Sequence, residues 1–147
     1  MKRMYLLLLC LGLVMPPVFA GEASPVGLWR SYDDAGVKEK AWIRITEKNG
    51  MLQGRIEKLI LTPTEDQNPV CIKCSGQRKD QPLIGMVILN DLKNDGGEYT
   101  GGEIFDPEVG KAYKCNIRIV EGGKKMQVRG YIGMPMLGRS QVWQRQE

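Results

Sequence analysis

Residues 69–76 read PVCIKCSG, which sets Cys71 and Cys74 three apart in a chain that contains no histidine. Cysteines at that spacing can cycle between dithiol and disulfide, supply half of a zinc site, or close a short structural staple. A redox pair of the thioredoxin type opens a helix, whose dipole lowers the pKa of the first thiol. Here SGQRKDQP follows, with Gly76, Pro82 and no apolar stripe of helical period, so only Lys73, Arg78 and Lys79 remain to stabilise a thiolate. Structural zinc takes four ligands, ordinarily cysteine and histidine. Without histidine the set would have to be Cys71, Cys74, Cys115 and an aspartate such as Asp66 or Asp80. Cys115 runs in phase with Tyr113, Ile117 and Ile119, which directs it toward a core, where a free cysteine acts as a small hydrophobe. The expectation is a local Cys71–Cys74 disulfide and a buried free thiol at Cys115, with no metal and no cofactor. A thiol-redox protein using Cys71 and Cys74 stays open as the lesser alternative.

A disulfide persists only in an oxidising compartment, so the start of the chain matters. MKRMYLLLLCLGLVMPPVFA has a basic opening at Lys2 and Arg3, an apolar run from Met4 to Met15, and Val18-Phe19-Ala20 before Gly21. That is the pattern of a secretory signal peptide over residues 1–20. The run falls short of the roughly 20 apolar residues that cross a bilayer. The mature chain, residues 21–147, is expected to be one domain in the periplasm or secreted medium, without a membrane span. The formal net charge is +4, and Lys2 and Arg3 contribute two of those charges. With no basic stripe either, nucleic acid is not an expected partner.

Other catalytic constellations are thin. Ser-His-Asp and Cys-His arrangements are excluded by the missing histidine, although serine with a lysine base is not. Asp33, Asp34, Asp66 and Asp106 fall between apolar runs, where aspartate commonly forms turns, and Asp106-Pro107 reads as turn chemistry. Gly110-Lys111 lacks the frame of a phosphate loop. The chain is expected not to be an enzyme.

The elements that must carry these residues alternate apolar and polar side chains with a period of two and are broken by Gly, Asn, Asp and Pro. Eight strands are expected, near residues 26–32, 40–47, 51–60, 83–92, 98–106, 111–120, 124–133 and 139–146. Glycines within these runs, Gly54, Gly85, Gly101, Gly102 and Gly130, suit the bends of a closing sheet. An antiparallel up-and-down barrel follows, because closure removes the edge strands. In such a meander the loops alternate between the two ends. KNG, KNDGG and EGGKK are hairpin turns at one end, whereas DDAGVKE, residues 61–82, PEVG and MPMLG are the irregular loops of the other. One end is thus closed and the other is a mouth, with the Cys71–Cys74 loop as its lid.

Gly27-Leu28-Trp29 on the first of eight strands resembles the G-x-W of the lipocalins and the wider calycin group. The resemblance implies that Trp29 plugs the closed end beneath Arg145, from the end of the last strand. Residues 24–145 also resemble a bacterial exported family of unknown function through the stretches PLIGM, GGEIFDPEVGKAYKC and RGYIGMPMLGRSQVW. That likeness implies a lipocalin-like barrel and no established reaction.

Within this frame the expected function is non-enzymatic binding of a small apolar or amphipathic molecule at the mouth, through Phe105, Tyr113, Met134, Met136 and Leu137. The competing expectation is a filled barrel that grips another envelope protein. Trp42 alternates against Ala41, Ile43 and Ile45 and is expected on the outside of the wall, where a protein partner or second copy could meet it. Small or missing side chains near the mouth would favour a cup, and a packed layer there a plug.

Overall fold

The computed structural model describes residues 23–147, and the expected signal peptide lies outside them. The strands are β1 (Gly27–Tyr32), β2 (Glu39–Lys48), β3 (Met51–Leu59), β4 (Val87–Asp95), β5 (Glu98–Asp106), β6 (Lys111–Val120), β7 (Lys125–Tyr131) and β8 (Arg139–Arg145). Each pairs antiparallel with the next, and β8 returns to β1 through Trp29 opposite Arg145 and Arg30 opposite Gln144, which closes the barrel. The period-two pattern becomes an inside and an outside: Ala41, Ile43 and Ile45 of β2 are buried, while Trp42 and Arg44 face outward.

The tight turns fall together at one end, as alternation requires. Asn49 and Gly50 both adopt positive φ, 53° and 74°, the combination that matches the right-handed twist of a two-residue hairpin. The wall bends where glycine allows. A Cβ at Gly102 would run into the Asn90 carbonyl, and one at Gly54 would lie 2.8 Å from Leu89 Cδ1, so adjacent strands approach closely at these register shifts.

The turn end is packed solid. Ile45, Leu52, Leu92, Ile117 and Met126 are buried around Trp29. The Arg145 guanidinium lies 4.2 Å over the Trp29 ring and donates to the carbonyls of Gly123 at 2.6 Å and Val26 at 3.0 Å. Trp29 Nε1 donates to the Pro25 carbonyl at 2.8 Å, so both polar ends of the clamp are satisfied. Gly27 has φ of 138°, and a Cβ there would meet the Glu147 carbonyl and Arg145 Nη1. The first residue of G-x-W is therefore glycine because the clamp occupies the space of a side chain.

Two expectations need correction. β4 starts at Val87 rather than at residue 83, because Leu83 to Met86 form a turn: Met86 N–H donates to the Leu83 carbonyl, and Gly85 has φ of 89°. β7 ends at Tyr131, since Gly133 turns the chain with φ of 77°. Trp42 does lie on the outer wall, but Lys58 of β3 covers its ring at 4.5 Å and its indole N–H donates to Glu39. It is half-buried there.

Candidate functional site

The irregular connections share the other end of the barrel: loop one (residues 33–38), loop three (60–86), loop five (107–110) and loop seven (132–138). Between them opens a cavity of about 410 Å³. Its walls are apolar, from Ile43 of β2, Ile56 of β3, Ile88 of β4, Ile104 of β5, Val128 of β7 and Trp143 of β8. Its room comes from small residues turned inward: Ser31 on β1, Ala41 on β2 and Gly130 on β7. A Cβ at Gly130 would lie 3.3 Å from Ile104 Cγ2 and 3.6 Å from Tyr113 Cβ, so two other lining residues close in on the glycine and a larger residue would crowd them.

The rim is polar and charged. Asp34 of loop one accepts from Arg139 at 2.7 Å and from Gln141 Nε2 at 3.0 Å, both on β8. Gln141 in turn accepts the indole N–H of Trp143 at 3.2 Å, which links the rim to the floor of the cavity. Lys40 of β2 pairs with Glu108 of loop five at 2.5 Å. β2 and loop five are not neighbours in the sheet, so this pair bridges the opening. The hydrogen bond to Glu108 holds the Lys40 ammonium above its ordinary pKa.

Loop three is a stapled lid. Cys71 and Cys74 form a disulfide that is 1% and 5% exposed and shares a buried cluster with Phe105 and Met86. Such shielding suits a staple better than a reagent for outside thiols. Cys71 N–H donates to the Gln81 carbonyl at 2.8 Å and Leu83 N–H to the Pro69 carbonyl at 3.0 Å, so an antiparallel bridge between Val70 and Pro82 ties the two arms of the lid together. It docks on loop five, where a Cβ at Gly110 would collide with the Lys73 carbonyl. The Arg78 guanidinium lies 4.2 Å over the Phe105 ring. Leu83 reaches from the lid into the cavity lining.

Of the expected ligand contacts, Phe105 and Tyr113 line the cavity. Met134, Met136 and Leu137 do not: they are 56%, 74% and 74% exposed and lie outside its lining. The reason is a brace beneath loop seven, where Arg129 donates to the Pro135 carbonyl and to Ser140 Oγ and holds the single 3₁₀ turn Pro135–Leu137 with its side chains outward. Residues that the sequence did not assign to the site, Ser31, Ala41, Gly130, Gln141 and Trp143, also line the cavity. The available signal was small residues at inward positions of different strands.

The carboxylates and the serine near the mouth are engaged in structural hydrogen bonds. Asp33 accepts the backbone N–H groups of Val37 and Lys38, which hold its carboxylate below the usual range and mark it as a turn former. Asp106 caps loop five by accepting from Glu108 N–H at 2.9 Å. Ser31 donates its hydroxyl to the Ala41 carbonyl at 3.1 Å rather than to a lysine. Cys115 is buried, its thiol pushed up to about 12 by burial, and it is not a lining residue. Among the described residues no cluster of cysteine, aspartate and glutamate is arranged to hold a metal ion, and no helix is long and apolar enough to cross a membrane.

Barrel, clamp and cup together have the architecture of a lipocalin-like protein. Residues 27–145 match the family described as "Uncharacterized protein conserved in bacteria (DUF2147)", and the chain belongs to that family. Among solved structures it is similar to one titled "Protein HP1028 from the human pathogen Helicobacter pylori belongs to the lipocalin family". The two share 16% identity at a TM-score of 0.72, over 85% of this chain and 84% of that one, which shows a common fold. No curated protein matches.

Proposed function

We propose that this is an exported, non-enzymatic binding protein that takes one small amphipathic molecule into the mouth of its barrel. The observation that carries the reading is the cavity of about 410 Å³, in which Ser31, Ala41 and Gly130 leave space between an apolar wall and a charged rim. That volume sits near the lower end of the roughly 300–1,000 Å³ usual for ligand pockets. The apolar body of a ligand would lie against Ile43, Ile104, Phe105 and Trp143. Its polar end would meet Tyr113, Lys40 or Arg139 at the rim. An eight-stranded barrel is either filled by its own side chains or just wide enough for one such ligand, and the small inward residues favour the second.

Filling the cavity tests this. Ala41→Phe places a ring in the space without touching the closed end. Titration with an environment-sensitive apolar dye is expected to show one saturable site in the parent chain and a loss of at least about tenfold in affinity in the variant, with the melting temperature kept. Native mass spectrometry of the parent chain is expected to show one bound small molecule. A parent chain that binds no dye and carries no small molecule would overturn the reading and leave the protein-interaction module in front.

A further inference from the structure

The distribution of exposed apolar side chains around the barrel is lopsided. Among the described residues, every exposed large hydrophobic residue except Val26 and Val142 lies on a mouth loop. Each of the four loops contributes: Val37 on loop one, Ile72 on loop three, Val109 on loop five, and Met134, Met136 and Leu137 on loop seven. The hairpin turns at the closed end show instead the ordinary polar turn residues Lys48, Asn49, Asp95 and Lys124. Turn chemistry favours polar residues at loop tips, so an apolar crown confined to one end calls for an apolar partner.

We propose that this crown docks on a lipid bilayer, with the loop tips inserted at the level of the headgroups and the cavity opening onto the membrane. Two features favour lipid over a protein partner. Residues 132–138 carry no charge at all, and the charges on the other loops are mixed in sign, as in Asp33, Asp34 and Lys38 of loop one or Lys73, Lys79 and Asp80 of loop three. Loop seven can therefore enter the bilayer interface without desolvating a charge, and the other loops present no net basic patch that would demand an acidic protein partner. The tips also stand on four separate loops around an opening, and a bilayer meets them together whatever their spacing, whereas a protein would need a contiguous matching face. Loop seven is built to present its side chains, because the Arg129 brace holds Met136 and Leu137 outward. Docking does not depend on the binding reading above. If both hold, an amphipathic molecule passes between cavity and bilayer without crossing water.

The test uses the chain from Gly21, which contains every strand of the closed barrel and its clamp and omits the apolar N-terminal run. It is floated with vesicles of phosphatidylethanolamine and phosphatidylglycerol and, separately, with phosphatidylcholine vesicles. The parent chain is expected to float with both, at low and high salt. Met136→Ser with Leu137→Ser is expected to lower partitioning by at least about tenfold, from the loss of two apolar side chains, with an unchanged melting temperature. Val142→Ser, an exposed apolar position on the outer wall, is expected to change nothing. In a Met136→Trp variant with the native tryptophans as background, emission is expected to shift to the blue on vesicles and be quenched by brominated acyl chains. A parent chain that stays at the bottom of the gradient overturns the proposal. So does binding confined to anionic vesicles and abolished by salt, or an equal loss in the Val142→Ser variant.

Discussion

Arg78 lies 4.2 Å over the ring of Phe105, so one cation pins the stapled lid to the strand that lines the cavity. A guanidinium over an aromatic face is worth about 0.5–1 kcal/mol where solvent reaches it. Arg78→Ala is expected to speed hydrogen exchange of the Cys71 and Leu83 amides by about two- to fivefold, while Arg78→Lys restores part of the protection. The melting temperature should barely move. Unchanged exchange would mean that the disulfide and the loop-five contact hold the lid unaided.

The staple itself is modest. Closing a loop of about four residues removes roughly 2 kcal/mol of chain entropy from the unfolded state. Replacing Cys71 and Cys74 together by alanine is expected to lower stability by about that amount, read from denaturant midpoints. A larger loss would show that the two buried sulfurs also fill space beside Phe105.

Cys115 offers a pH test. Burial raises its thiol from 9.0 to about 12, so between those values the folded chain keeps a proton that the unfolded chain has lost. Stability is therefore full below pH 9 and falls as pH rises toward 12, by roughly 1.4 kcal/mol per pH unit from this group. The difference between the parent chain and Cys115→Ala should shrink over that window. A difference that stays constant with pH would show that the thiol titrates alike in both states.

At the closed end, Trp29→Ala is expected to lose about 3–5 kcal/mol, as large-to-small core changes do. Arg145→Ala should lose less, since solvent can replace part of its hydrogen bonding. Gly27→Ala should also destabilise, because its φ of 138° and the nearby Glu147 carbonyl and Arg145 guanidinium leave no place for a methyl group. Urea melts of the three variants give the order directly.

The barrel was readable because its cues are local. Alternation along β2 and β6, and turn residues such as Asn49-Gly50, each specify an element within a few residues. The apolar stretch PLIGM reads as strand, and only the turn at Gly85 shows that it belongs to the lid. The cavity was readable only in part, through Phe105 and Tyr113. Ser31, Ala41 and Gly130 come from three strands, and their shared height depends on register and on bulges such as the one between Ser31 and Tyr32. Loop seven misled for a similar reason: its apolar residues suggested a lining, but one bond from Arg129 to Pro135 turns them out. Long-range contacts of single side chains leave no periodic trace in a sequence.

The pairing of Trp29 with Arg145 also governs when the barrel can exist at all. Its two members stand near opposite ends of the chain, so the seam that closes the sheet is the contact with the longest loop to close. Hairpins along the chain can form as they become available, but until Arg145 arrives the outer edges of β1 and β8 stay unpaired. Folds that wait on such distant pairings are slow, and the polypeptide spends that interval open. If the chain is exported as proposed above, that delay keeps it threadable. A chain cut short before Arg145 would keep two sticky edges and is expected to aggregate rather than settle into a smaller barrel.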